Sequence, residues 1–193
     1  GALLAATQRL GATYSAQELS YTKMLGQLQD AGNTVTVAHY LDLLDKAGML
    51  CGIQKYDAKE VRRRKSSPRF MVYDTSLMTA SSGIEKSRYL GEPDLRGHLV
   101  ESAVGARLLA RASEEGLGVY WWREGTKEVD FVVSKGFDSL SAIEVKSGKE
   151  KGQSGMADFL SAHPNAKRIV VGGAASGACG VEEFLKDEVE LFY

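Results

Sequence analysis

Two strand-like runs joined by a turn, residues 128 to 148 (EVDFVVSKGFDSLSAIEVKSG), constrain the fold of this chain more than any other segment. Both runs are largely apolar, which is typical of strands buried in a sheet. Asp130 nevertheless lies inside the first run, and Glu144 and Lys146 lie inside the second. Because a charge in a packed strand is unfavourable unless it is paired or bound to a metal, these residues indicate an ion-paired cluster or a metal site.

Strand side chains alternate between the two faces of a sheet, so the sequence predicts which of these residues share a face. Glu144 and Lys146 project together, and Asp130 is expected on the face opposite Val129 and Phe131. If the two strands are neighbours, two acids and a lysine converge. Carboxylates suit Mg²⁺, and a lysine beside them could orient the water or stabilise the oxyanion in phosphodiester hydrolysis.

The second half of the chain is predicted to follow an αβββαβ order with a short αβ extension. We expect, in order, helix 94–113, strands 118–123, 128–134 and 141–147, helix 153–162, strand 167–172, helix 180–186 and strand 188–192. The first helix carries Glu101 on the same strip as Gly97 and Gly105. Because glycine has no side chain, this strip is expected to lie close against the sheet and to bring the Glu101 carboxylate towards the predicted metal.

The first half reads as three helices followed by a β-hairpin, which is the order of a winged helix-turn-helix. We expect helices 3–10, 16–29 and 34–47, and strands 49–56 and 68–74. Ser15, with Glu18 three residues on, predicts the N-terminus of the second helix by the capping-box pattern. The predicted fold class is thus α+β with an α/β part, in which the αβββαβ unit has a mixed central sheet.

A domain boundary is expected in residues 75–93, which contain Ser81-Ser82-Gly83 and Pro93. Gly, Ser and Pro in such a cluster are typical of a connection rather than of a long helix or strand. The sequence therefore predicts one domain at residues 1–85 and a second at residues 86–193.

The composition, with 44% hydrophobic and 25% charged residues among 193, is typical of a folded, water-soluble protein. Cys51 and Cys179 are far apart and have no His at zinc-ligand spacing, so a cytoplasmic location is expected. The N-terminal run is too short and too polar for a membrane span, and no membrane association is expected. Because the sequence begins without Met, we expect it to be a piece of a longer protein.

Charge is divided unevenly along the chain. Residues 1–90 carry 12 Lys or Arg against 8 Asp or Glu, whereas residues 91–193 carry 12 against 17. Most of the positive excess lies in residues 59–69. The candidate nucleic-acid contacts are Arg62, Arg63, Arg64 and Lys65 in this run and Arg123 beside the aromatic residues of YWWR.

Other charges favour a protein partner over a nucleic acid. The second half is acidic, and a groove that holds a phosphate backbone is normally basic. Asp42 and Asp45 lie on the predicted recognition helix, where they would repel phosphates. The winged helix is therefore as well suited to contact another protein module as to contact DNA.

Several segments resemble the C-terminal half of a large prokaryotic family of AAA+-type ATPases, in which a P-loop module is followed by a winged helix and a nuclease-like domain. The segments that carry the resemblance are SPRFMVYDTSL (67–77), GHLVESAVGARLL (97–109), VYWWREGTKEVDFVV (119–133) and AIEVKSG (142–148). The second half in particular looks like the PD-(D/E)XK superfamily of restriction-endonuclease-like nucleases. That superfamily has an αβββαβ core, and the proline before its Asp is missing here.

The resemblance implies a site and a cofactor. The matching positions are Glu101, Asp130, Glu144 and Lys146, and the backbone carbonyl of Val145 is an implied further ligand. The implied activity is a Mg²⁺-dependent nuclease, with Mn²⁺ as a substitute and DNA as the expected substrate. No P-loop motif is present in the sequence, so no ATP site is expected in this piece, and the implied partner is its own ATPase module.

Two alternatives to the nuclease stay open at the level of sequence. The cluster could be an ion pair between Asp130 and Lys146, with Glu128 and Glu144 solvated, in a nuclease fold that serves only as a docking or regulatory module. The winged helix could instead make the chain a DNA-binding regulator. A homo-oligomer is compatible with each of these functions.

Overall fold

A computed structural model describes residues 1–28, 32–57, 67–147 and 153–193 of the chain. The helices of the described part are α1 Ala2–Thr13, α2 Tyr21–Gln27, α3 Thr34–Lys46, α4 Ser76–Ser82, α5 Lys86–Gly91, α6 Pro93–Glu115, α7 Met156–Ala162 and α8 Val181–Leu185. The strands are β1 Leu50–Lys55, β2 Arg69–Val72, β3 Gly118–Glu124, β4 Lys127–Lys135, β5 Ser139–Val145, β6 Gln153–Ser154 and β7 Lys167–Val171.

One mixed sheet runs through both halves of the chain, in the order β2-β1-β3-β4-β5-β7, with the short β6 beside β4. β1 and β2 form the predicted antiparallel hairpin, and β1 continues into the second half by pairing parallel with β3. β3, β4 and β5 are antiparallel neighbours, and β7 returns parallel to β5 after α7. The predicted mixed sheet is therefore observed, and the αβββαβ order is observed except that the two-residue β6 precedes α7, where the sequence predicted helix from residue 153.

The N-terminal helices follow the apolar pattern of the sequence. On α3, the buried side chains Val37, Leu41 and Leu44 form the predicted inner face, and the Asn33 side chain accepts a hydrogen bond from the Thr36 amide at the helix start. The hairpin tip with Arg62, Arg63, Arg64 and Lys65 lies outside the described residues.

The predicted start of the second helix at residue 16 is wrong. α2 begins at Tyr21, and the Ser20 side chain accepts the capping hydrogen bond from the Lys23 amide. Ser15 is buried, and its hydroxyl contacts the Ser102 hydroxyl at 2.8 Å and accepts a hydrogen bond from the Val72 amide. Because this hydroxyl is used in tertiary contacts, it cannot cap a helix.

The segment between the two halves is more ordered than the Gly, Ser and Pro residues predict. It forms the short helices α4 and α5, and Gly83 ends α4 with a φ of 68°, a left-handed conformation that glycine adopts readily. Met78 and Tyr89 of these helices are buried against the N-terminal helices. The boundary at residue 85 stays a prediction.

The predicted last strand at residues 188–192 is wrong, since the structure gives this segment no strand pairing. Leu191 is buried, and its carbonyl accepts a hydrogen bond from the Ser141 hydroxyl. The Lys167 ammonium donates to the carbonyls of Glu190 and Phe192. The apolar residues of this run are thus explained by packing against the sheet and not by forming one of its strands.

The side of the sheet that faces α6 has a core built from both halves. Met71 from β2 packs there with Val104 and Leu108 of α6 and with strand residues of the second half. A Cβ atom at Gly105 would lie 2.3 Å from the Met71 sulfur. The glycine therefore allows α6 to approach the sheet closely, as predicted, and the strand that it approaches is β2. The other side of the sheet is covered by α7 through Phe159. No helix in the described ranges is both long enough and apolar enough to span a membrane.

Candidate functional site

A β-bulge in β4 positions the first acidic residue. The β3–β4 ladder shifts register between two pairs, Tyr120↔Val132 and Trp122↔Val129. Between these pairs a single residue of β3, Trp121, lies opposite two residues of β4, Asp130 and Phe131. Such a bulge changes the alternation of side chains, and bulges are common beside functional sites. Phe131 consequently packs on the α6 side of the sheet, and the predicted opposition of Asp130 and Phe131 is wrong.

A buried guanidinium lies among the acids on this side of the sheet. Arg69 of β2 is 3% exposed, and its Nη1 lies 3.4 Å from Oε1 of Glu101, which is 4% exposed. Its Nη2 lies 3.3 Å from Oε2 of Glu128. The Arg69 guanidinium also lies over the Trp121 ring, 4.8 Å from its centroid. A cation from the first half of the chain therefore pairs with two acids of the second half.

Arg123 extends this charged group towards the surface. Its Nε and Nη2 donate to Oε2 of Glu128 at 3.1 and 2.8 Å, and its Nη1 donates to Glu18 at 2.8 Å. Partial burial is the largest single influence on the pKa of Arg123 and lowers it, but the hydrogen bonds and charges of Glu128 and Glu18 together outweigh it and raise the pKa. The candidate nucleic-acid contact at Arg123 is thus engaged in ion pairs within the chain.

Asp130 is held at the edge of the same group. Its Oδ2 accepts a hydrogen bond of 2.8 Å from the Val145 amide. Burial, followed by the charge of Glu101, raises the pKa of Asp130 to about 7, while the Val145 amide and Arg69 oppose this rise. Asp130 and Glu101, two of the four predicted site residues, are therefore electrostatically coupled.

Glu144 and Lys146 form a second charged group on the opposite side of β5. Ile143 and Val145 pack into the core on the α6 side, so the alternating Glu144 projects away from it. Glu144 Oε1 pairs with the Lys146 ammonium at 2.8 Å, and its Oε2 accepts a hydrogen bond from the Ser154 hydroxyl at 2.9 Å. The structure thus divides the predicted quartet into two pairs.

The residues as placed do not fit a bound Mg²⁺ ion. Among the residues that the structure describes, no three His, Cys, Asp or Glu side chains are grouped so that they could hold a metal. One oxygen of Asp130 accepts a hydrogen bond from the Val145 amide, and Glu144 projects from the other side of the sheet, because Ile143 and Val145 on either side of it face the α6 core. The positive charge beside Glu101 is supplied by Arg69, and that beside Glu128 by Arg69 and Arg123.

Arg69 is the important residue that the sequence analysis did not identify. Its signal was present, because Arg69 is a charged residue inside the apolar strand run PRFMVYD, the same pattern that drew attention to Asp130. A charge in a packed strand requires a partner wherever it occurs. The partners could not be identified from the sequence alone, because Glu101 and Glu128 lie 32 and 59 positions away.

Comparisons with known proteins give two family matches, and both families are described only as domains of unknown function. Residues 96–178 match DUF4143, and residues 2–88 match DUF8612. DUF4143 is found in proteins associated with AAA-type ATPases, which is consistent with the resemblance stated above. No curated protein and no solved structure matches the chain. The winged-helix and PD-(D/E)XK assignments stay predictions.

Proposed function

We propose that this chain is a non-catalytic docking module of an AAA+-type ATPase, built on a nuclease-like αβββαβ unit. The observation that carries the proposal is the buried Arg69 guanidinium between Glu101 and Glu128. Arg69 belongs to the hairpin of the first half, and the two acids belong to the second half. In this function the acids hold the two halves together instead of binding a metal.

The match to DUF4143 supports an ATPase as the partner. The surface of α3 supports a protein contact, because its exposed side chains include the apolar Val35 and Leu43 and the acidic Asp42 and Asp45. Acids on a recognition helix disfavour a phosphate backbone. A winged helix with such a surface fits a protein neighbour, and a cytoplasmic location agrees with an ATPase partner.

Isothermal titration of Mn²⁺ and Mg²⁺ into the chain tests this proposal. We expect no saturable binding at millimolar metal and no metal-dependent increase in melting temperature, because a ligand stabilises a protein only when it binds the folded state. The matched variants are Asp130→Asn, at the site, and Asp138→Asn, in the exposed β4–β5 turn. Binding of one equivalent that is lost in Asp130→Asn and kept in Asp138→Asn would refute the non-catalytic function.

The second candidate is the Mg²⁺-dependent nuclease, probed with the same protein. The observation in its favour is that burial, followed by the charge of Glu101, raises the pKa of Asp130 to about 7, and perturbed carboxylates of this kind are common at catalytic sites. It predicts cleavage of plasmid or single-stranded DNA in Mg²⁺ or Mn²⁺ that disappears in Asp130→Asn, Glu144→Gln and Lys146→Met. Equal residual cleavage in all three variants would indicate a contaminant and exclude this candidate.

A further inference from the structure

A cleft of about 290 Å³ opens at the carboxyl ends of β1 and β3, where these two neighbouring strands run parallel. The crevice beyond the carboxyl ends of parallel strands is where open α/β sheets commonly bind their ligands. The residues that line it are Lys55, Tyr56, Asp57, Trp122, Arg123, Glu124 and His163. The volume is near the lower limit for small-molecule sites, so it suits a ligand with one ring system.

The aromatic side chains of the cleft pack against the ring of Phe159. The Phe159 ring makes edge contacts with Tyr56 and with Trp122, at centroid distances of 5.8 and 5.6 Å. His163 lies 5.5 Å from the Tyr56 ring and 4.5 Å from Phe159. Aromatic side chains that are held in place in this way can stack against a planar base. Such stacking is tolerant of base identity, because every base has an aromatic face.

The polar groups of the cleft match the remaining parts of a nucleotide. The Lys55 side chain forms no ion pair with the described residues, so its ammonium can contact a phosphate. Glu124, which is exposed at the end of β3, can accept hydrogen bonds from ribose hydroxyls, as acids do in dinucleotide sites. Burial lowers the pKa of His163, so its neutral ring offers one donor and one acceptor to the edge of a base.

Arg123 also lines the cleft, but its hydrogen bonds to Glu18 and Glu128 hold its guanidinium within the chain. It contributes positive potential and not a bidentate phosphate contact. With Lys55 as the cation for direct contact, the cleft suits one phosphate group better than a triphosphate. This differs from a P-loop, in which backbone amides and a lysine hold several phosphates.

We propose that this cleft is a nucleotide-binding site that stacks a nucleobase on Tyr56 and Trp122 and holds its phosphate on Lys55. The ligand is a nucleoside monophosphate unit, either free or at the end of a single strand. The site adjoins the Arg69 group through Arg123, which pairs with Glu128, but it does not depend on the docking function proposed above. Its chemistry requires both the base and the phosphate for binding.

Isothermal titration of AMP into the whole chain is the primary test, with adenosine and ribose 5-phosphate as the two half-ligands. We expect AMP to bind with an affinity at least about tenfold above either half-ligand, since loss of one base–aromatic stack has an effect of roughly this size or larger. Trp122→Leu and Lys55→Gln should each weaken AMP binding about tenfold. Lys135→Gln, at the opposite end of the β3–β4 hairpin, removes the same charge and should leave it unchanged.

Far-UV circular dichroism shows whether the Trp122→Leu variant folds. If that variant does not fold, the Lys55→Gln variant still tests the site. A 5′-phosphorylated pentanucleotide identifies the source of the ligand: tighter binding than AMP indicates a strand end, and weaker binding indicates a free nucleotide. The proposal is overturned if neither AMP nor the pentanucleotide binds at millimolar concentration. It is also overturned if ribose 5-phosphate binds as tightly as AMP, or if Lys135→Gln weakens binding as much as Lys55→Gln.

Discussion

The charged groups on the two sides of β4 and β5 use similar residues in different environments. On the α6 side, Glu101 and Arg69 are almost completely buried, and Arg69 reaches two acids from another part of the chain. On the other side, the Lys146 and Glu144 side chains are 34% and 13% exposed, and these residues are two positions apart on one strand. The first group joins distant segments, whereas the second is a local pair beside solvent.

This difference in burial indicates which charged residues are important for the stability of the fold. A buried ion pair costs much desolvation energy, so it is weak evidence for net stability, but the removal of one partner leaves a buried charge uncompensated. A pair beside solvent loses little when it is broken, because water replaces the partner. Substitutions in the two groups should therefore differ greatly in effect, even when the residue types are similar.

The largest effect is expected for Arg69→Met, which removes the buried cation beside Glu101 and leaves Glu128 paired with the more exposed Arg123. Because the Arg69 Nε has no hydrogen-bond partner among the described residues, we expect a loss near the low end of the usual range, about 3 kcal/mol in the free energy of unfolding. Urea denaturation measures it. Arg168→Met, at an exposed position on β7, is the control and should change stability by less than about 0.5 kcal/mol. Equal losses in the two variants would remove the distinction between the groups.

Asp130→Asn is expected to stabilise the protein at high pH. The folded-state pKa of about 7 lies above the ordinary value of 3.8, so the native state binds more protons than the unfolded state between these values. Stability from this group is therefore present at low pH and is lost as the pH rises towards and past 7. At pH 8 the Asn variant should be more stable, by on the order of 2 kcal/mol, and near pH 4 the difference should vanish.

Urea denaturation of both proteins at several values between pH 4 and 8 checks this dependence. The Asp138→Asn variant is the control, because Asp138 lies in an exposed turn. If Asp130→Asn destabilises the protein at pH 8, the carboxylate is stabilised by its surroundings in the ionised form, and the site would then resemble a metal or cation site more closely than the structure suggests.

The sequence could predict most elements because each depends on local periodicity and on Gly, Pro and turn residues. The face of α3 and the β1–β2 hairpin illustrate this. The grouping of the acids could not be predicted in the same way. The bulge at Asp130 and Phe131 adds one residue to β4 opposite Trp121, and a single-residue shift changes which side chains share a face. Only the pairing of the neighbouring strands reveals it.

Ser15 illustrates a second limit of local patterns. Ser15 and Glu18 have capping-box spacing, but the Ser15 hydroxyl contacts Ser102 and Val72, which lie 87 and 57 positions away. Glu18 in turn pairs with Arg123. Both residues make contacts between the two halves. These contacts are preferred over a capping hydrogen bond because polar groups that become buried need hydrogen-bond partners. The sequence likewise shows that Glu101 is a charged residue on a helix and Arg69 a charged residue on a strand. It does not show that they form an ion pair, because they are distant in sequence.

Ser15→Ala removes a neutral contact between the halves, the one between the Ser15 and Ser102 hydroxyls, and also a hydrogen bond within the first half. The variant leaves the buried Val72 amide without the hydroxyl that accepts its hydrogen bond, which should cost about 1 to 2 kcal/mol in the free energy of unfolding. Ser161→Ala, at an exposed position on α7, serves as the control and should have almost no effect. A loss in Ser15→Ala that exceeds the loss in Arg69→Met would show that the hydrogen bonds of Ser15, and not the ion pairs of Arg69, contribute more to the stability of this region.

The smallest effect is expected for Lys146→Met, which breaks the pair with Glu144 on the solvent side of β5. Glu144 keeps its hydrogen bond from Ser154 and remains in contact with water, so the expected loss is below about 0.5 kcal/mol in the free energy of unfolding. Lys135→Met, at the exposed end of β4, controls for the loss of a surface charge. A loss above about 2 kcal/mol in Lys146→Met alone would mean that Lys146 compensates more buried negative charge than Glu144 provides. The lysine would then act on the Asp130 group as well, and the two groups would be one site.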